Sequence, residues 1–231
     1  MKIFIDPGHN HESFDTGAQG NGLEEQDVNF DIAETLRSLL VGLGHEVKMS
    51  RNTKTDSVGN SMFTSIANRA KMANDWKADL FVSIHCNAFN TLARGTETLV
   101  YSQNSLSVPY AERIQAEIVK RLGTADRGVK TRTNLGVLWR TNMPALLVEC
   151  AFIDNLHDAK LLKNNVSDFA EAICCGILGE TKQTEEETIV LELAERGIIS
   201  DKQLWFSKLK EDKNSYWLAK KCLTFIKGVE K

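Results

Sequence analysis

The sequence is poor in proline, with 3 in 231 residues, and aromatic residues make up only 7% of it. With 42% hydrophobic residues beside so little proline, a disordered or low-complexity chain is excluded. There is no surplus of cations. A formal net charge of −3 excludes a generically basic nucleic-acid binder, so no nucleic-acid partner is expected. No uninterrupted apolar run approaches the ~20 residues needed to span a bilayer, and membrane insertion is not expected either. The 5 cysteines are odd in number and lack CxxC spacing, which argues against a disulfide framework and for reduced thiols. The opening Met1-Lys2-Ile3-Phe4-Ile5-Asp6-Pro7-Gly8 meets an acid and a proline after three apolar residues. That leaves no room for a secretory core, so synthesis in the cytoplasm without a signal peptide is the expectation.

What the sequence does have is alternation. Residues 2–6, 45–49, 80–84, 96–101 and 145–149 read as short strands, several closed by polar residues. Between them, helical spacing runs over 27–44 and 61–76, through Ile114, Ile118 and Leu122, and over 166–178. The pattern predicts an α/β domain over residues 1–180, with a mostly parallel twisted sheet flanked by helices. The texture changes at Thr181-Lys182-Gln183-Thr184-Glu185-Glu186-Glu187, a polar linker. Capping-box pairs Thr184/Glu187 and Ser200/Gln203 then open helical patterns, and a last helix carries Trp217, Leu218, Cys222, Phe225 and Ile226. Residues 185–231 are thus expected to form a small all-helical module that docks on a partner or associates with itself. Trp205 and Trp217 are expected in its core.

In an open α/β sheet, ligands gather beyond the carboxyl ends of the strands. There the sequence places Asp6-Pro7-Gly8-His9, His85-Cys86-Asn87 and Glu149-Cys150. Two imidazoles and a carboxylate from three strands are the raw material of a hydrolytic metal site. A further ligand is available from Glu24, Glu25 or Asp27 at the mouth of the first helix, where acids also serve to complement the helix dipole. His11 reads as an exposed loop residue, His45 as structural, and His157 as flanking the helix that follows Glu149. Cys86 and Cys150 fall on the faces opposite His85 and Glu149 if the strands are regular. Buried thiols, including Cys174 and Cys175, read as small apolar residues.

These pieces also form a longer pattern: Ile5-Asp6-Pro7-Gly8-His9, Asp15-Thr16-Gly17-Ala18, Glu25-Gln26-Asp27-Val28-Asn29, Arg69, Ala73-Asn74, and residues 78–88. The pattern continues with Arg127-Gly128-Val129-Lys130, Pro144-Ala145-Leu146-Leu147-Val148-Glu149 and Phe152-Ile153-Asp154-Asn155. In order and spacing it resembles the zinc-dependent N-acetylmuramoyl-L-alanine amidases of the amidase-3 type, found in autolysins, spore-associated enzymes and phage endolysins. The resemblance implies one Zn2+ ion held by His9, Glu25 and His85, with Glu149 as the catalytic carboxylate. It implies bacterial peptidoglycan as substrate, cut at the amide between N-acetylmuramic acid and L-alanine of the stem peptide. With no leader expected, the implied setting is an endolysin-like product that acts on the wall after release. Two rival readings stand beside it: a cysteine-dependent hydrolase using Cys86 or Cys150, and a non-catalytic wall-binding protein.

Overall fold

The computed structural model describes residues 1–11, 14–179, 189, 190, 192–194, 196–200, 204, 205, 208 and 212–229. The chain divides into two compact units, Met1–Gly179 and Glu180–Lys231. The linker and the Thr184/Glu187 pair lie outside the described residues, as does Gln203 of the second capping box.

The first unit is built on a sheet of β1 (Lys2–Pro7), β4 (Glu46–Met49), β5 (Leu80–Asn87), β6 (Thr96–Val100), β7 (Asp126–Thr131) and β8 (Ala145–Phe152). A separate short ribbon joins β2 (Gln19–Gly20) to β3 (Leu23–Glu24). The large sheet runs in the order β4-β1-β5-β8-β6-β7, and every pairing is parallel except β6 against β8. Around it lie α1 (Glu25–Gly42), α2 (Met62–Trp76), α3 (Val108–Leu122), α4 (Gly136–Trp139), α5 (Leu156–Asn164) and α6 (Val166–Leu178).

Strand residues alternate between two cores, as a pleat with both faces covered requires. Ile3, Ile5, Leu80, Val82, Ile84, Leu146 and Val148 pack with Leu36 of α1, Ile114 of α3 and Phe169 of α6. Phe4, Phe81, Ala145 and Leu147 point the other way, to Ala73 of α2 and Val137 of α4. Stacking of Phe4 on Phe81, with ring centroids 5.8 Å apart, anchors this second core. Helix α2 starts where the sequence says it should. The Ser61 hydroxyl accepts from Thr64 N and the Thr64 side chain answers to the Ser61 backbone, a reciprocal cap.

Two strands run further than their apolar residues suggest. β5 continues through His85 to Asn87 and β8 through Glu149 to Phe152, because each supplies the other's ladder with Phe81↔Ala145 through His85↔Glu149. The helix expected after Glu149 is α5, with His157 in its first turn, whereas β7 was not expected from the sequence. β7 is half-exposed throughout and carries four polar residues in six, so no apolar alternation announces it.

In the second unit, Ile189, Val190, Leu193, Ile199, Ala219 and Leu223 form a small core, with Trp205 packed against it. The last helix, α7 (Lys213–Val229), turns its Ala219/Leu223 face inward. This corrects the expectation for Trp217, which is 57% exposed, with the Lys221 ammonium 3.8 Å from its ring. Leu218 and Cys222 are exposed as well. In the first unit, Cys175 is exposed rather than buried, whereas Cys174 is buried. Among the described residues, no helix is long and apolar enough to cross a membrane.

Candidate metal centre

Three chain segments meet beyond the carboxyl ends of β1 and β5. Pro7 closes β1, Gly8 N donates to Ile84 O at 2.9 Å, and His9 follows with φ 67°. A positive φ is uncommon outside glycine, and here it accompanies a ring held between Asp15 and Glu25. Glu25 is the first residue of α1, which therefore begins two residues earlier than the spacing suggests. His85 comes from β5 on the face that carries Phe81.

His9 Nε2 and His85 Nδ1 each lie 3.1 Å from Glu25 Oε1. The two rings meet edge to face with centroids 4.7 Å apart. One donor atom from each of His9, Glu25 and His85 falls within 4.8 Å of the others, the arrangement that a single divalent cation satisfies.

The surroundings fix each member. His9 Nδ1 lies 2.6 Å from Asp15 Oδ1, so its Nε2 is the atom left facing Glu25. Asp15 Oδ2 in turn accepts from Ser65 Oγ at 3.3 Å and pairs with Arg69 at 3.6 Å. Glu25 accepts from Ala18 N at 2.7 Å and Cys86 N at 3.0 Å. The backbone closes over the group only because two residues lack side chains. A Cβ at Gly8 would stand 2.3 Å from His85 Nε2, and one at Gly17 would stand 2.6 Å from Glu25 Oε2.

Charge follows geometry. Burial opposes a charged imidazolium at His9, yet Asp15 and Glu25 outweigh it and push the group up to about 9. Burial drives His85 down against the pull of Glu25. Burial also opposes ionisation of Glu25, but His85 and His9 hold it well below the ordinary carboxylate range. Glu149 is different. It faces His85 across the β5–β8 ladder, and its Oε2 is buried with no hydrogen-bond partner among the described residues. Burial first, then the charges of Glu25 and Glu97, push its carboxyl up to about 8.

Residues 3–179 match the family described as N-acetylmuramoyl-L-alanine amidase. The chain belongs to this family. The sporulation-specific N-acetylmuramoyl-L-alanine amidase of Bacillus subtilis is 37% identical over 177 residues, covering 76% of this chain and 65% of that protein. The endolysin of Bacillus phage SPP1 is 36% identical over 183 residues, covering 76% of this chain and 64% of the endolysin. The chain thus spans less than two thirds of the length of these curated relatives. Among solved structures, the N-acetylmuramoyl-L-alanine amidase from Clostridium difficile superposes with a TM-score of 0.69 at 33% identity, covering 77% of this chain and 94% of that one.

Within this amidase fold, several expectations need correction or addition. His11 is half-buried rather than exposed, and its Nδ1 has no partner among the described residues. Cys86 and Cys150 lie buried on the face opposite His85 and Glu149, and burial raises both thiols far above their ordinary range. Sequence reasoning missed Arg51, which is fully buried and donates to Gly8 O at 3.3 Å and Gln26 O at 2.8 Å. It also missed Glu97, the residue that pairs with Glu149 on β6. Each became visible only when strand order placed it beside the centre, since neither carries a motif of its own.

Proposed function

We propose that this chain hydrolyses the amide joining the lactyl group of N-acetylmuramic acid to L-alanine in bacterial peptidoglycan. The observation that carries the reading is the convergence of His9, Glu25 and His85 beside the unpartnered Glu149 Oε2. Family membership supports the same bond as target. Two imidazoles and one carboxylate suit zinc and leave positions for water and substrate, and the glycine-lined cradle fits an ion with no side chain in its way. When bound there, zinc supplies Lewis acidity toward a carbonyl and lowers the pKa of water toward ~7.

The protein's own residues do the rest. Asp15 holds the His9 ring in one orientation and tautomer, while Cys86 N and Ala18 N pin the two oxygens of Glu25. Among the described residues Glu149 Oε2 makes no hydrogen bond that must break before it acts. In its ionised form it would take the proton of the attacking water and deliver it to the departing alanine nitrogen. A cysteine nucleophile is disfavoured because both candidate thiols are buried away from this edge and held protonated.

The test is the appearance of new amino-terminal alanine on purified cell walls. It should appear with the zinc-loaded protein, vanish with EDTA and return on zinc addition, with iodoacetamide having no effect. Release that survives EDTA and is lost to alkylation would overturn the reading.

A further inference from the structure

His85, Glu149 and Glu97 form one cross-strand row, through His85↔Glu149 on β5–β8 and Glu97↔Glu149 on β6–β8. Directly paired residues share a face of the sheet, so Glu97 stands beside the catalytic edge. Its partners come from an irregularity in β7. The register there shifts from Thr96↔Asp126 to Thr98↔Val129, which inserts one residue opposite Glu97. Gly128 takes φ 75° at this bulge, and Asp126 Oδ1 holds the turn by accepting from Gly128 N at 2.9 Å. In a regular strand residues 127 and 130 would point to opposite faces; the extra residue turns both to one side. Arg127 Nε then lies 2.8 Å, and Lys130 Nζ 2.6 Å, from the same Glu97 Oε2.

Two cations on one carboxylate leave a net positive charge that the chemistry at His9, Glu25, His85 and Glu149 does not use. The Arg127 guanidinium is also fixed from one side by the Phe152 ring, 4.8 Å from its centroid. Nε is its only hydrogen-bonding atom in use among the described residues, so both terminal nitrogens are unengaged, on a side chain 34% exposed. A guanidinium anchored by Nε and a ring face, with its two outer nitrogens open, is preorganised for a second carboxylate.

We propose that Arg127, assisted by Lys130, forms a subsite for a free carboxylate on the stem peptide of the substrate. This deepens the amidase reading and rests on it. Strands lie about 4.8 Å apart, which puts β7 roughly 10 Å from Glu149's strand. A peptide advances about 3.5 Å per residue, so the second or third stem residue reaches the subsite. A carboxamide presents one acceptor where a carboxylate presents two, and it carries no charge. The subsite therefore discriminates between them.

The experiment compares kcat/KM of the zinc-loaded full chain on two soluble muramoyl peptides. They differ only in whether the second stem residue carries a free α-carboxylate or its carboxamide. The expected result is about a tenfold preference for the acid, carried mainly by KM. Arg127→Gln brings the acid-to-amide ratio close to one. Arg127→Lys, which keeps the charge but loses the planar fork, restores the preference only in part. A wild-type ratio near one overturns the subsite, as does an unchanged ratio in both variants. Failure to cleave either peptide would instead bring down the amidase reading itself, and the subsite with it.

Discussion

At the scale of single residues, the centre depends on groups that hold its histidines and carboxylate in place. Asp15 orients His9 through a 2.6 Å contact and is itself held by Ser65 and Arg69. Asp15→Asn keeps the shape but can bind the wrong tautomer of His9. Metal affinity should fall by about 10–100-fold, measured by competition with a chromogenic chelator. Glu149 gives a second prediction, for the metal-free protein. Its carboxyl is raised from 4.5 to about 8 by burial and by Glu25 and Glu97. Between those values the folded state keeps a proton that the unfolded chain releases, so stability falls as pH rises through the window. Glu149→Gln removes that cost. In EDTA at pH 8 the variant should be more stable than wild type by up to about 4 kcal/mol, with little difference at pH 4. Thermal melts at the two pH values check this, and a pH-independent difference would contradict it. His9, His85 and Glu149 were legible in the sequence because each directly follows or ends an apolar strand. Glu25 could be distinguished from Glu24 and Asp27 only through the family pattern, since three acids at a helix start look alike to periodicity.

At the scale of elements, the site is a seam between β1, β5 and the start of α1, and Arg51 fastens that seam. It is fully buried just after β4, and its guanidinium reaches the carbonyls of Gly8 on one side and Gln26 on the other. Arg51→Met fills the volume but leaves those carbonyls without donors. It should cost about 3 kcal/mol of stability, read from urea unfolding, and loosen the positions of both His9 and Glu25. A change under 1 kcal/mol would show that water replaces the guanidinium at little cost. The strands with apolar cores were readable because β1, β5 and β8 alternate between two buried layers. β7 was not readable. An edge strand of Asp, Arg, Gly, Val, Lys and Thr has no buried face to impose a period, and its bulge breaks the alternation further. The antiparallel run of β6 was hidden for another reason: strand direction is a property of the connection, and no local residue encodes it.

At the scale of the whole molecule, the sheet order does what no single segment can. It sets β5, β8 and β6 side by side, so that His85, Glu149 and Glu97 share one row while His9 and Glu25 close over its end. The α/β alternation of the first unit could be read from apolar spacing, but this row could not, because residues 85, 97 and 149 are distant in sequence and met only by topology. The second unit was less legible. Its last helix carries apolar residues on more than one face, and the Ala219/Leu223 face is inward while Trp217 and Leu218 face solvent. In the proposed reaction one metal group and one separate carboxylate divide the work. Zinc content and amide hydrolysis of Glu149→Gln, read on the same preparation, separate the two roles. One zinc per chain is expected, bound as in wild type, with hydrolysis reduced by about 10²–10⁴-fold. A variant that keeps both its zinc and its activity would contradict the role of Glu149, and one that loses its zinc would place Glu149 among the ligands.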